Sequence, residues 1–360
     1  MFFASRLKVA RQRAGLTKAA LAESVGVAAR AITGFEAGEY EPTTETFERL
    51  SSVLGYPVEF FMAGDIEVVD AGAVSFRSLT RMSARQRDAA VAAASLAYIV
   101  SEWADRNYEL PNVDLPDLSA LSPSVAASSL RQRWGLGYAP ISNVLDLIEA
   151  KGIRVFSLME YGNEVDAYSV WRGTRPFIFL NTGKSSERRR FDLVHELAHL
   201  VLHRSQPGGG GNAEKEANEF AGAFLMPEES LRAVGRIPLT LDGLIRIKSI
   251  WKVSVAALLY RLKEVGLITY YNFNRLFVEL SSLGYRTNEP ESAAVEQSQI
   301  WRQVFSDALS SGQNFAELAA ELRIPSFELS RLLIGLATLP VPSSPGVKGG
   351  ARRGVLRVVK

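Results

Sequence analysis

The segment that most narrows what this chain can fold into is Phe191–His203, FDLVHELAHLVLH. Leu193, Val194, Leu197, Ala198, Leu200 and Val201 place apolar side chains around the whole circumference, so a helix here must be buried nearly all round. The same segment holds all three histidines of a 360-residue chain. His195 and His199 stand four residues apart, which puts both imidazoles on one face of the helix, where they can converge on one metal ion. Glu196 lies one position round, close enough to take a proton from metal-activated water without being a ligand. Neutral imidazoles suit zinc, which lowers the pKa of bound water to about 7. His203 lies eight residues, or about 12 Å on a straight helix, beyond His195 and so outside one coordination sphere. It reads as a helix-end histidine near free carbonyls.

A third ligand is expected from GNAEKEANEFAGAFLMP, a second helix with Asn212 as its N-cap. Ala217, Phe220, Ala221 and Phe224 form its buried stripe. At 100° per residue, Glu214 lies about 60° from Ala217, Asn218 about 100° away on the same side, and Glu216 about 100° away on the other. Glu214 is therefore the favoured ligand and Glu216 the reserve, with Asn218 placed to orient a ligating histidine. Tyr168 in DAYSVWRG is a candidate second donor to an oxyanion, set against an ordinary core tyrosine. The strand PFIFLN could add a substrate strand along its edge or be a plain sheet strand.

Around this core the chain divides in four. Residues 1–64 read as short helices separated at Gly15, Gly26 and Gly38. Residues 65–125 are a connector with an alanine-rich helix opened by Ser83, followed by the linker PNVDLPDLSALSPS. Residues 126–285 contain helices over SSLRQRWGL and after Pro140, strands at IRVFSL and PFIFLNT, the histidine helix, a loop at QPGGGGN and further helices. Residues 286–360 are helical, with a helix-turn-helix or plain hairpin pattern at NFAELAAELRIPSFELSRLLIG and a basic tail (Lys348, Arg352, Arg353, Arg357, Lys360). The absence of cysteine excludes disulfides and thiolate metal sites. No run nears the roughly 18 apolar residues of a membrane span, and the start lacks a signal-peptide core, so a cytoplasmic protein away from membranes is expected. With a net charge of only +2, nucleic acid must be met by a local patch.

LAESVGVAARAI is helix, glycine turn, helix, the pattern of a helix-turn-helix with residues 28–35 as its reading helix. Seven basic residues over 1–62 are balanced by seven acidic ones, with the cations gathered at the front. Arg11, Arg13 and Lys18 are candidates for phosphate contacts, and Arg30 and Thr33 for the reading face with Ala28, Ala29 and Gly34. The alternative is a module that dimerises or docks a partner of the same fold.

These motifs carry two resemblances. RRFDLVHELAHLVLH followed by EKEANEFAGAFLMP resembles the ImmA/IrrE metallopeptidase family, over roughly residues 126–285. Residues 1–62, including LAESVGV, FEAGEYEP and LSSVLG, resemble the Xre/Cro helix-turn-helix family, although Thr17-Lys18 replaces the usual opening of the second helix. Together they imply a mainly α chain with a small β-sheet: an all-α helix-turn-helix domain, an α+β zincin-like metallopeptidase domain and a helical C-terminal region. The resemblance implies a Zn2+ endopeptidase with His195, His199 and Glu214 as ligands and Glu196 as acid/base. Its implied partners are operator DNA and a repressor as substrate, with homodimerisation through the helix-turn-helix domain. A regulator whose peptidase-like domain senses a ligand without cutting is the rival expectation.

Overall fold

The computed structural model describes residues 1–69, 83–159, 167–204 and 211–337. The basic tail and nearly all of the QPGGGGN loop lie outside the described residues. Two compact units emerge: one from Met1–Pro111, Phe156–Val165 and Ser298–Lys360, the other from Asn112–Val155 and Asp166–Gln297.

The first unit begins with α1 (Ala4–Arg13), α2 (Lys18–Val25), α3 (Ala29–Ala37), α4 (Thr44–Leu54) and α5 (Val58–Phe61). Thr17 and Thr43 cap α2 and α4 by accepting N–H groups of Ala20 and Thr46, satisfying donors that the first turn leaves free. Gly26 closes α2 in the left-handed region at φ 75°, which lets the chain turn straight into α3. Leu7, Leu21, Ile32, Leu50, Phe60 and Phe61 are wholly buried and form the core of this bundle. A capping box of Ser83 and Gln86 opens α6 (Ala84–Asn107), whose run Ala89–Ala94 is buried and carries little bulk, so α1 can pack closely against it.

The second unit starts with residues 112–122, an extended strap rather than a free linker. Asp114 N–H donates to Lys151 O and Leu118 N–H to Val201 O. The strap crosses Gly152, where an added Cβ would meet the Asn112 carbonyl at 2.6 Å. Then come α7 (Pro123–Arg133), α8 (Val144–Ala150), β1 (Arg154–Ser157, of which Arg154 and Val155 belong to this unit), β2 (Ala167–Arg172) and β3 (Arg175–Leu180), in the sheet order β1-β3-β2. The helix expected after Pro140 begins only at Val144, because the Asn143 side chain caps it there. β2 was not anticipated. It pairs antiparallel with β3 from Ala167↔Leu180 to Arg172↔Arg175, leaving a two-residue turn that opens on Gly173 at φ 56°.

Against β2 and β3 packs α9 (Ser186–Leu202), the histidine helix, and across it lies α10 (Gly211–Leu225). Asn212 is not the N-cap: the helix already includes Gly211, and Asn212 Nδ2 donates to Glu216 Oε1 instead. The unit is completed by α11 (Glu228–Arg232), α12 (Leu241–Trp251), α13 (Val255–Glu264) and α14 (Tyr270–Ser282). Arg190 fixes α9 from within, donating to the carbonyls of Trp251 and Ile141 and pairing with Glu296, whose carboxylate also accepts the N–H groups of Val144 and Leu145. Arg131 ties α7 to the end of α10 through the Phe224 carbonyl, and burial pushes its guanidinium pKa down to about 10.

The chain returns to the first unit with α15 (Gln299–Ser310), α16 (Phe315–Glu321) and α17 (Ser326–Leu333). Over NFAELAAELRIPSFELSRLLIG, α16 and α17 are consecutive helices packed on each other, as both the helix-turn-helix and the hairpin pattern require. Glu328, Leu329, Leu332 and Leu333 of α17 are all buried, while Ser326, Phe327 and Arg331 are exposed.

Candidate metal centre

The buried helix α9 brings His195 and His199 to one face, and α10 lays Glu214 against them. His195 Nε2 lies 3.2 Å from His199 Nε2 and 3.4 Å from Glu214 Oε2, and His199 Nε2 lies 3.5 Å from Glu214 Oε1. A tetrahedral ion with bonds of about 2.0–2.1 Å has ligand-to-ligand edges of about 3.3–3.4 Å. The three contacts therefore trace one face of such a tetrahedron, and these residues fit a metal ion. Among the described residues this is the only group of three or more histidine, cysteine or acidic side chains brought together in this way.

The electrostatics agree with the geometry. Burial alone would push the Glu214 carboxyl up, yet the facing imidazoles of His195 and His199 hold it well below the usual carboxylate range. Burial would lower His195, but its hydrogen bond to Glu214 and the charges of Glu196, Glu214 and Asp192 raise it on balance. Burial lowers His203, helped by the neighbouring His199 and opposed by Glu216. Asn218 Oδ1 sits 3.1 Å from His195 Nδ1, so it can accept that N–H and leave Nε2 to the centre.

Glu196 is buried one residue along α9 and is anchored from the sheet, where Ser169 Oγ donates to Glu196 Oε2 at 2.7 Å. Tyr168 is not at the centre. Strand alternation turns it to the face opposite Ser169, where it is fully buried and stacks on Phe179 at 4.6 Å. Ser169 is the residue that sequence reasoning missed; β-alternation along AYSVWR, ended by the Gly173 turn, was the signal that could have found it. His203 does end α9, but its ring does not turn to free carbonyls. Its Nδ1 is 3.1 Å from His199 Nδ1, and its Nε2 is 2.8 Å from Glu216 Oε2. Glu216 thus reaches His203 rather than the three-residue cluster.

The amino-terminal bundle places its expected contact residues in two groups. Arg30 and Thr33 are exposed on α3 with Ala28 and Ala29, and the Lys18 side chain is 43% exposed, although its Nζ lies 3.7 Å from Glu36. Gly34 is buried beneath Tyr40, whose ring leaves no room for a Cβ there, so it does not share that face. Arg11 and Arg13 turn inward. Arg11 pairs with Glu36 through two nitrogens, and Arg13 is buried against Glu328. A cation neutralised by a buried carboxylate has no charge left for phosphate, so neither fits the phosphate-contact role expected of it.

A helix-turn-helix bundle and a metallopeptidase-like domain in one chain define the class. Residues 7–61 match the helix-turn-helix family model, and residues 148–263 match that of the IrrE N-terminal-like domain of the M78 peptidases. The chain joins an Xre-type helix-turn-helix domain to a domain of the ImmA/IrrE family. A search of curated proteins finds no match. No helix among the described residues is long and apolar enough to cross a membrane.

Proposed function

We propose that this chain is a DNA-binding regulator whose ImmA/IrrE-type domain is a zinc-dependent endopeptidase acting on a partner repressor. The observation that carries the reading is the triangle of His195 Nε2, His199 Nε2 and Glu214 oxygens at 3.2–3.5 Å, with Glu196 anchored beside it. Three protein ligands leave a fourth position open, the arrangement of a catalytic rather than a structural site. Zinc held there supplies a Lewis acid that polarises a peptide carbonyl and lowers the pKa of water. Glu196 takes the proton from the attacking water and delivers it to the leaving amine. Ser169 holds one carboxylate oxygen of Glu196, so the other is aimed without a search through rotamers. Asn218 keeps His195 in the tautomer whose Nε2 is free.

On the DNA side, Lys18 supplies a backbone contact, and Arg30 with Thr33 reads base edges from α3. A face with one strong base-reading group favours modest sequence discrimination.

Glu196→Gln tests the reading. It keeps the three ligands while removing the proton carrier, so the variant should bind zinc, retain its partner and leave it uncut. Wild-type and variant chains are compared for cleavage of co-purifying protein and for expression of a reporter under the chain's own promoter. Regulation identical in the two would show that the domain senses rather than cuts.

A further inference from the structure

The strand that anchors Glu196 continues past it along α9. Ser169 Oγ meets the Glu196 carboxylate, and two residues later Trp171 Nε1 donates to the Leu200 carbonyl at 3.3 Å. Two strand residues advance about 6.6 Å and four helix residues about 6 Å, so β2 and α9 keep step. The Leu200 carbonyl is one of those that the last turn of a helix leaves free. Trp171 satisfies it, and the strap satisfies its neighbour, since Leu118 N–H donates to Val201 O. The half-buried indole is thereby fixed at the carboxyl end of α9.

Arg204 follows the C-cap residue His203 and lays its guanidinium over that indole, 4.1 Å from the ring centroid. The ring face and the partial negative charge of the helix end both favour a cation here, and neither occupies its N–H groups. Arg204 is exposed and makes no hydrogen bond and no ion pair among the described residues. Hydrogen bonds from Ser119 hold the nearby Asp117 carboxyl below its ordinary range with a smaller contribution from Arg204, yet the two form no ion pair. An arginine held by its face and idle at its edge presents a planar fork of donors that matches a carboxylate.

Glu196 and Arg204 are eight residues apart, about 12 Å at the helical rise of 1.5 Å per residue. An extended polypeptide lying over Glu196 along the β2 flank covers that distance in about three or four residues. We propose that Arg204, braced by Trp171, is a specificity residue that binds an acidic side chain of the polypeptide, about three or four residues from the bond that is cut. Its role rests on the endopeptidase reading of the centre, and it defines a substrate class: segments with Asp or Glu at that spacing.

The test uses the zinc-loaded full chain and a library of synthetic peptides of mixed sequence, with the cuts read by mass spectrometry. Sites cut by the wild type should be enriched in Asp or Glu about three or four residues to one side. Arg204→Ala should erase that enrichment. It should also lower the kcat/KM of an acidic peptide, relative to that of its amide counterpart, by roughly threefold to tenfold through KM, between the effect of an exposed ion pair and that of a charge-assisted hydrogen bond. Arg204→Glu should turn the preference toward Lys and Arg, a reversal that a merely structural change at the helix end does not produce. The same library is passed over the immobilised Glu196→Gln chain with and without Arg204→Ala, and acidic peptides should be retained only where Arg204 is present. Circular dichroism confirms that each variant folds. Cuts without acidic enrichment, enrichment that survives Arg204→Glu, or a library neither cut nor retained would overturn the proposal. Arg204-dependent retention of acidic peptides without any cutting would refute the endopeptidase reading and leave the acid-binding site standing.

Discussion

Arg13 gives the sharpest contrast between a surface reading and a buried one. Its side chain is 0% exposed, and that of its partner Glu328 is 1% exposed. Arg13 Nε and Nη2 reach Glu328 Oε2 at 3.0 and 2.5 Å, and Nη1 donates to the Ala89 carbonyl at 3.1 Å. Tyr56 Oη donates to the other oxygen of Glu328 at 2.8 Å, and burial together with that carboxylate raises the tyrosine pKa well above its ordinary value. Arg13→Ala strands Glu328 as a buried charge with only Tyr56 and the long, solvent-facing contact of Arg331 at 3.5 Å beside it. Removing one partner of such a pair costs about 3–5 kcal/mol. Glu328→Ala should cost a similar amount, since it strands the guanidinium instead. The double change to Arg13→Met and Glu328→Leu should cost far less than the sum, because neither charge is then left alone. Urea unfolding, with amide exchange over α1 and α17 to isolate the first unit, measures all three. An Arg13→Ala chain within about 0.5 kcal/mol of wild type, with weakened and less salt-sensitive DNA binding, would refute the argument and restore Arg13 as a phosphate contact.

The other expectations are shorter to state. His195→Ala and His199→Ala should lose zinc, and Glu214→Gln should weaken it strongly by removing an anionic oxygen; chelator titration in which Glu214→Gln binds as well as wild type would remove Glu214 from the site. Ser169→Ala should leave zinc affinity intact while lowering kcat more than it raises KM, because it frees a Glu196 oxygen that the buried hydroxyl now holds; an unchanged kcat would make Ser169 structural only. Arg30→Ala should blur sequence preference in a promoter-binding assay, whereas Lys18→Ala should weaken all sequences alike and reduce the salt slope by about one. Equal effects of the two on every sequence would deny α3 a reading role.

The fold was legible wherever one element announced its own burial or its own ends. Ser83 marked the start of α6, where the structure adds Gln86 as its capping-box partner, and Gly26 and Gly38 marked the ends of α2 and α3. The apolar girth of α9 declared a central helix, and its i, i+4 histidines declared which face mattered. What stayed hidden depended on partners distant in sequence. Arg13 and Glu328 are 315 residues apart, so a cluster of cations at the front of a helix-turn-helix module gave no hint that one of them is spoken for. The strap at 112–122 has the proline, aspartate and serine content of a linker, and distant partners make it part of a fold: the carbonyls of Lys151 and Val201, and Arg133, Trp134 and Lys151 on Asp114.

At the centre, the limit of sequence reasoning was phase and reach rather than chemistry. Helical angles separated Glu214 from Glu216, and the structure puts the former among the histidine Nε2 atoms and the latter on His203. Those angles say which side of α10 a residue leaves from, but not that α10 lies across the end of α9, where His203 waits. A straight-helix estimate placed His203 out of range of one ion and left it as a helix-end residue near free carbonyls, whereas its ring meets His199 and Glu216. One turn of helix is the right distance for ring-to-ring contact, and His203 makes that contact with His199, their centroids 5.1 Å apart. The same reasoning applies to Tyr168 and Ser169. The need for a second oxyanion donor pointed to Tyr168, against an ordinary core tyrosine, whereas strand alternation turns Ser169 toward Glu196 and leaves Tyr168 stacked on Phe179.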